Sequence, residues 1–441
     1  MQAVLLGGSN SVLSHALSCG LEQQLEVANL ALGATTCVQN LCEVVRNEER
    51  VRNAELIVTE SNVNDVGCLK YFGRDIRFVE NSIDLFYREL FRLNPNVVVL
   101  ILPVKANPFE TRDIIKCINE RHLRNADLYG FMTLEIDKIF ESNGPDEADL
   151  LMLDARHPIH SYMYHLGSNI GRYARENRRA LADHRTVHSE QVRLSRSPLS
   201  FLRAEDFEHC KRTRKSNSRF SEDVILLEGD VSVPSEAIGR TLLGVLSWSD
   251  NFSCMRLSNG DEIFIKPFGD LYSFNEFVAQ PVIKLGCLVG SFYGDMQDTT
   301  EESIHLTRRS AGELADEWEI GSGNLQFSAP VGLVGFLLTD GSVGGELLNR
   351  PLGRKDVSSL APSPEPYRRT IDNYVKRKRL ISVSNAVLNR IIDSAKVLAE
   401  HDVEEARKLL KVALQIDPNS SRGRAVAKII KVKMASHTGV R

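Results

Sequence analysis

Residues 96–104 read NVVVLILPV, an almost unbroken apolar run. A strand with one wet face alternates apolar and polar residues, so a continuous run needs cover on both faces. That demand shapes everything around it. AVLL, VANLAL and ELIVTE precede it as further short strand candidates, and YGFMTLEID follows as a weaker strand leading into a short helix. Between them lie stretches with helical spacing: VLSHALSCGLEQQL, TTCVQNLCEVVRNEERVR, IDLFYRELFRLN and TRDIIKCINERHLRNA. In the third of these, Ile83, Phe86, Leu90 and Leu93 share one face. SNIGRYARENRRALADH closes the series as another helix. The order predicts an α/β domain over residues 1–188, three layers with a central, mostly parallel sheet.

A chain of 441 residues exceeds one ordinary core, and its composition changes twice more. Residues 189–222 are polar and basic and are expected to form a linker. Residues 223–355 hold short β-prone runs separated by turn signals such as SNGD, which predicts a β-rich sandwich or barrel. Within it Trp248, Phe252, Phe292 and Tyr293 either line a ligand face or fill the core, and one helix is expected around Ser310–Trp318. After the Ser/Pro-rich stretch SSLAPSPEPYRR, residues 356–441 turn helical. Ala406, Leu410, Ala413, Leu414 and Pro418 there resemble a single tetratricopeptide-like segment, a surface suited to a second copy or a protein partner.

Several function classes drop out on charge and composition. A net charge of −4 exerts no general pull on nucleic acid or anionic membrane. The eight cysteines are scattered without a CxxC pair, so neither a metal site nor a disulfide framework is expected, and no cofactor is called for. No run approaches the roughly 20 apolar residues of a membrane span. Residues 3–6 read as a folded strand and not as a secretion signal, so the expected location is the cytoplasm.

Four polar pieces follow strand candidates in the first domain: Gly7–Ser11 (GGSNS), Gly33 in NLALGATT, Asn64 and Asp65 in IVTESNVND, and Asp154 with His157 in LMLDARHPIH. In an open parallel sheet the carboxyl ends of strands form the ligand crevice. A serine hydroxyl becomes a useful nucleophile when a base removes its proton, and histidine suits that task near neutral pH. Aspartate fixes the imidazole tautomer. The Ser9 N–H, the Gly33 N–H and the Asn64 amide would form an oxyanion hole. Each piece also has a plain structural use: a turn at GGS, a backbone bend at Gly33, a helix cap at Asn64, a helix start after Pro158. Ser11, Asn62, His160 and His165 are alternative candidates, Glu60 and Asp65 read as structural carboxylates, and Arg156 is either solvated or a contact for an anionic substrate group.

Together the four pieces resemble the conserved blocks of the SGNH, or GDSL-like, hydrolases, over about residues 1–180. Gly7-Gly8-Ser9 resembles the first block, with glycine where that family carries aspartate. Gly33 matches the second block. Glu60 and Val63-Asn64-Asp65 resemble an E-x-x-V-N-D form of the third, and Asp154, His157 and Pro158 match the last. The resemblance implies Ser9 over Ser11 as nucleophile, and His157 over His160 as base with Asp154 behind it. It also implies ester hydrolysis through an acyl-serine. The expected substrate is a small acyl group, acetyl first, on a carbohydrate. Transfer of that acyl group from a donor to a sugar hydroxyl is the second reading. A non-catalytic glycan-binding or assembly protein is the third.

Overall fold

A computed structural model describes residues 1–71, 76–106, 111–142, 144, 151–191, 197–208, 210–250, 253–259, 263–268, 272–276, 285–286, 288–291, 294–295, 304–306, 326–327, 330–341, 348, 350–367, 388–416 and 421–438. The chain divides into two compact units, Met1–Pro362 and Ser363–Arg441.

The first unit is built on a parallel sheet. Strands β1 (Gln2–Gly7), β2 (Glu26–Asn29), β3 (Leu56–Glu60), β4 (Val97–Ile101) and β5 (Met132–Glu135) pair in the order β5-β4-β3-β1-β2. The apolar run at 97–101 is a strand buried along its whole length, as a doubly covered strand must be. Its alternate residues serve two layers. Val97, Val99 and Ile101 join Val4, Leu6 and Ile57 in one core, under helices α3 (Cys37–Arg46), α6 (Ile76–Leu93) and α7 (Arg112–Tyr129). Ile83, Phe86, Leu90 and Leu93 are the buried face of α6. On the opposite face α2 (Leu17–Glu22) packs against a helix at His160–Glu176. Gly20 and Gly167 meet at that crossing, where a Cβ on Gly20 would lie 2.0 Å from the Tyr164 carbonyl.

The helix expected across residues 12–25 is broken instead. A single turn, α1 (Ser9–Val12), ends before His15, which takes a left-handed φ of 59°. The helix expected over 35–52 also breaks, at Asn47, giving α3 and then α4 (Glu48–Asn53). Helix α5 (Asn62–Tyr71) follows β3.

The expected linker is corrected by the structure. Residues 199–203 and 212–216 are strands β6 and β7, and β8 (Ser221–Leu227) begins before the expected boundary at 223. They belong to an antiparallel sheet with β10 (Thr241–Trp248), β13 (Tyr272–Glu276) and β18 (Val331–Thr339), reached after the short β9 (Val231–Ser232). A second sheet holds β11 (Ser253–Ser258), β12 (Ile263–Phe268), β14 (Leu288–Ser291), β16 (Ile304–Leu306) and β9. Strands β15 (Gly294–Asp295) and β17 (Gln326–Phe327) pair with each other. The two larger sheets form a sandwich. Ile225, Val245, Leu333 and Phe336 share a core with Met255, Leu257, Phe264 and Val289 of the second sheet. The intervening Val224, Leu246, Phe274 and Leu337 turn the other way and join the core of α3 and α6.

A further boundary moves. Lys355–Asp356 forms β19, parallel to β5 at the edge of the first sheet, so the end of the β-rich segment completes the α/β domain. Trp248 packs edge-on against Tyr272 at 5.0 Å and belongs to the core face. Phe252, Phe292, Tyr293, the segment Ser310–Trp318 and Pro418 lie outside the described residues.

The second unit is helical at residues 388–398, Val403–Ile416 and Ser421–Thr438. Asp402 caps the middle helix by accepting from the Glu404 and Glu405 N–H groups, both at 3.1 Å. Ala406, Leu410 and Ala413 pack with Ile392, Ala395, Val426 and Ile430.

Candidate active site

The sheet order puts β1 between β2 and β3, so the chain reverses its direction of travel beside β1. That is where an open α/β sheet leaves a crevice at its carboxyl edge. The loops after β1, β2 and β3 gather there.

Ser9 opens α1, directly after the break at Gly8. Its Oγ lies 2.6 Å from His157 Nε2. His157 Nδ1 lies 2.8 Å from Asp154 Oδ2. An aspartate on Nδ1 keeps the proton there and leaves Nε2 as an acceptor for the serine hydroxyl. The order Ser–His–Asp is therefore continuous.

The turn that carries Asp154 and His157 is built by Asp154 itself. Its Oδ1 accepts from the N–H groups of Arg156 at 2.8 Å and His157 at 3.0 Å. Leu153 N–H donates to the His157 carbonyl and Ile159 N–H to the Leu151 carbonyl, closing a tight ladder around the turn. Two outside contacts dock it: Lys105 N–H on the Ala155 carbonyl at 2.9 Å, and Asn10 Nδ2 on the Arg156 carbonyl at 3.2 Å. Partial burial works to raise the Asp154 pKa. The hydrogen bonds from Arg156 N–H and from His157 outweigh it, and the carboxyl is held below its ordinary range. Asp154 is 57% exposed and His157 24%, so the pair lies at the mouth of the crevice.

Ser11 and Asn62 are not at this mouth. The Ser11 hydroxyl points inward and donates to Glu60 Oε1 at 2.9 Å. Asn62 is buried, exchanging hydrogen bonds with the backbone of Leu102. His160 begins the next helix, and His165 packs edge-on against Tyr164. Asn64 is close: its Nδ2 donates to the Thr35 carbonyl at 2.8 Å. A primary amide has two N–H bonds, so one remains beyond that contact.

The glycine before Ser9 has a steric cause. A Cβ on Gly8 would lie 1.9 Å from Asn64 Nδ2, so the Asn64 amide fills the space a side chain would need. Glu60, at the end of β3, orders this turn. Its Oε1 accepts from Gly8 N–H at 2.9 Å, Ser11 N–H at 3.1 Å and the Ser11 hydroxyl. Its Oε2 is buried with no partner. Burial, with Asp65 adding to it, pushes the Glu60 carboxyl up to about 7 against the hydrogen bonds that favour its ionised form. Asp65 is buried too. It accepts from Cys37 N–H at 2.9 Å and meets His122 Nε2 at 3.1 Å, and His122 Nδ1 meets the Tyr87 hydroxyl at 3.0 Å. This chain ties α5 to α3, α7 and α6.

Gly33 sits in the loop after β2. Leu32 N–H donates to the Gly7 carbonyl at 3.2 Å, so the loop runs beside the turn that leads to Ser9. A Cβ on Gly33 would meet nothing within 4 Å. The Arg156 guanidinium lies against α5 at Gly67, one turn beyond Asn64. A Cβ there would be 2.6 Å from Arg156 Nη1. Sequence reasoning passed over Asn10, the middle residue of SNS, which ties the serine helix to the histidine turn.

Among the described residues no group of histidine, cysteine or carboxylate side chains is arranged to hold a metal. No described helix is long and apolar enough to cross a membrane.

No family model and no curated protein sequence matches the chain. Solved structures do match part of it. A lipase/acylhydrolase from Enterococcus faecalis is 16% identical, with a TM-score of 0.32, over 40% of this chain and 96% of that one. A psychrotrophic esterase from a Pseudoalteromonas species is 12% identical, with a TM-score of 0.30, over 42% and 98%. A catalytic mutant of an acetylxylan esterase from Geobacillus stearothermophilus is 10% identical, with a TM-score of 0.32, over 39% and 93%. These are partial similarities at low identity.

Proposed function

We propose that the protein is a serine-dependent ester hydrolase acting through an acyl-serine at Ser9. The observation that carries the reading is the unbroken contact of Ser9 Oγ with His157 and of His157 with Asp154, at 2.6 and 2.8 Å. Ser9 Oγ attacks the ester carbonyl carbon while His157 Nε2 takes its proton. Negative charge collects on the carbonyl oxygen, which Ser9 N–H, Gly33 N–H and the second Asn64 N–H receive. His157 then protonates the departing alcohol. A water gives its proton to His157 and attacks the acyl carbon, and His157 then passes that proton to the departing Ser9 Oγ, releasing the acid and restoring the serine hydroxyl.

The substrate we propose is a small acyl group, acetyl first, on a carbohydrate. What supports this is the polar character of the mouth, where the partly exposed Asn64 and Arg156 and the half-exposed Asp154 lie on the segments around Ser9. Such a rim suits a hydroxyl-rich alcohol better than an acyl chain needing apolar cover.

A fluorophosphonate probe and acetate release from an acetylated oligosaccharide test both steps. The expected result is labelling at Ser9 that Ser9→Ala abolishes and His157→Ala reduces by about 10³-fold or more. Folded wild-type protein that neither labels nor releases acetate would end the reading. Labelling with release only from long-chain esters would end the carbohydrate part.

A further inference from the structure

The loop that carries Gly33 is held from the antiparallel sheet as well as from its own domain. Arg219 stands at the tip of the β7–β8 hairpin, and its Nη2 donates to the Ala31 carbonyl at 3.0 Å. Glu276, the last residue of β13, accepts from the Thr36 hydroxyl. The same hydroxyl accepts from Val38 N–H and so caps α3. Between these points Asn64 holds the Thr35 carbonyl. Gly33 and Ala34 are thus spanned by fixed residues on both sides.

Ala34 has a φ of 59°, a left-handed conformation that costs a non-glycine residue about 1 kcal/mol or more. It persists where the surroundings over-determine the backbone. The surroundings here are braced in turn. Asn217 Oδ1 accepts from Arg219 N–H and Phe220 N–H, both at 2.8 Å, which shapes the hairpin tip. The Phe220 ring stacks on Tyr272 at 4.4 Å, and the Arg219 guanidinium lies 5.0 Å over Phe220. Tyr272 and Glu222 then bind Arg46 near the far end of α3.

We propose that the antiparallel sheet is part of the esterase machinery: Arg219 and Glu276 are positioning residues that clamp the Gly33 loop so that its N–H faces the developing oxyanion. The inference rests on the ester-cleaving reading above. It assigns the β-rich segment the task of shaping the site, in place of a separate glycan-binding surface. Arg219 is exposed at a hairpin tip, so its side chain can be changed without opening a core.

Arg219→Met keeps an unbranched side chain of similar reach and removes the donors together with the guanidinium over Phe220. The expected outcome is a fall of about 10-fold or more in kcat for an acetyl ester and in fluorophosphonate labelling rate, with KM within about 2-fold. Amide exchange at residues 30–36 should quicken, the pH profile should keep its shape, and the melting temperature should hold. Arg219→Lys, which can still donate, should recover part of the rate. Wild-type kcat and labelling in Arg219→Met would overturn the proposal. So would a loss of rate that tracks a loss of global stability. If the wild-type protein shows no esterase reaction, the ester-cleaving reading fails by itself. Exchange at 30–36 then decides the clamp: faster in Arg219→Met supports it, and unchanged exchange overturns it.

Discussion

Glu60 has one oxygen with three donors and one oxygen with none, and it is 1% exposed. Its pH effect follows from the raised pKa. In the unfolded chain the carboxyl titrates near its ordinary 4.5, and in the fold at about 7. Below about pH 4.5 both states hold the proton and stability is complete. Between 4.5 and 7 only the folded state holds it, so stability falls as pH rises, by on the order of 3 kcal/mol in all. Glu60→Gln removes that titration. We expect urea midpoints measured from pH 5 to pH 8 to decline more steeply in the wild type than in the variant. Parallel curves would refute it. The residue also shows what local pattern reading captures. The residue types at Ser9, Asp154 and His157 make them candidates in the sequence alone, whereas Glu60 reads there only as a structural carboxylate. Its hold on the serine turn needs β3 to lie beside β1, which spacing along the chain does not report.

At the scale of elements, legibility tracks burial. Strand β4 is apolar along its length because both of its faces are covered, and it stands out in the sequence. Strand β7, RTRKS, alternates exposed and half-buried positions at the edge of its sheet, so it looks like a basic connection. Edge strands commonly carry charge, and that hides them from an apolar pattern. Strand β19 has two exposed residues and exists through its pairing with β5. Helix ends follow local chemistry. Thr111 caps the start of α7, accepting from Ile114 N–H, and Gly130 closes it at a φ of 69°. Gly130→Ala would need that left-handed turn with a Cβ only 3.1 Å from Leu352 Cβ. It should cost about 1 kcal/mol in urea unfolding while leaving labelling at Ser9 unchanged. A neutral effect would show that the loop around Leu352 yields freely.

The whole molecule divides differently from its composition. One core contains residues of α3 and α6 together with Leu199, Val224, Leu246, Phe274, Val334 and Leu337 of the antiparallel sheet. Residues 1–190 alone should therefore expose that face and fail to melt cooperatively, whereas residues 1–362 should fold and label at Ser9. A soluble, cooperatively melting 1–190 fragment would contradict the shared core.

By itself the sequence determined the alternation of strands and helices, the parallel sheet, the β-rich and helical segments that follow, and the residue types of the candidate site. These are consequences of period, turn chemistry and the need to cover apolar surface, all of which are local. Tertiary structure decided which hydroxyl faces His157, why position 8 carries no side chain, and that the supposed linker forms strands packed on α3. Those outcomes depend on contacts between residues far apart in the chain, such as Gly8 with Asn64 and Ala31 with Arg219. Only the folded backbone brings such residues within reach.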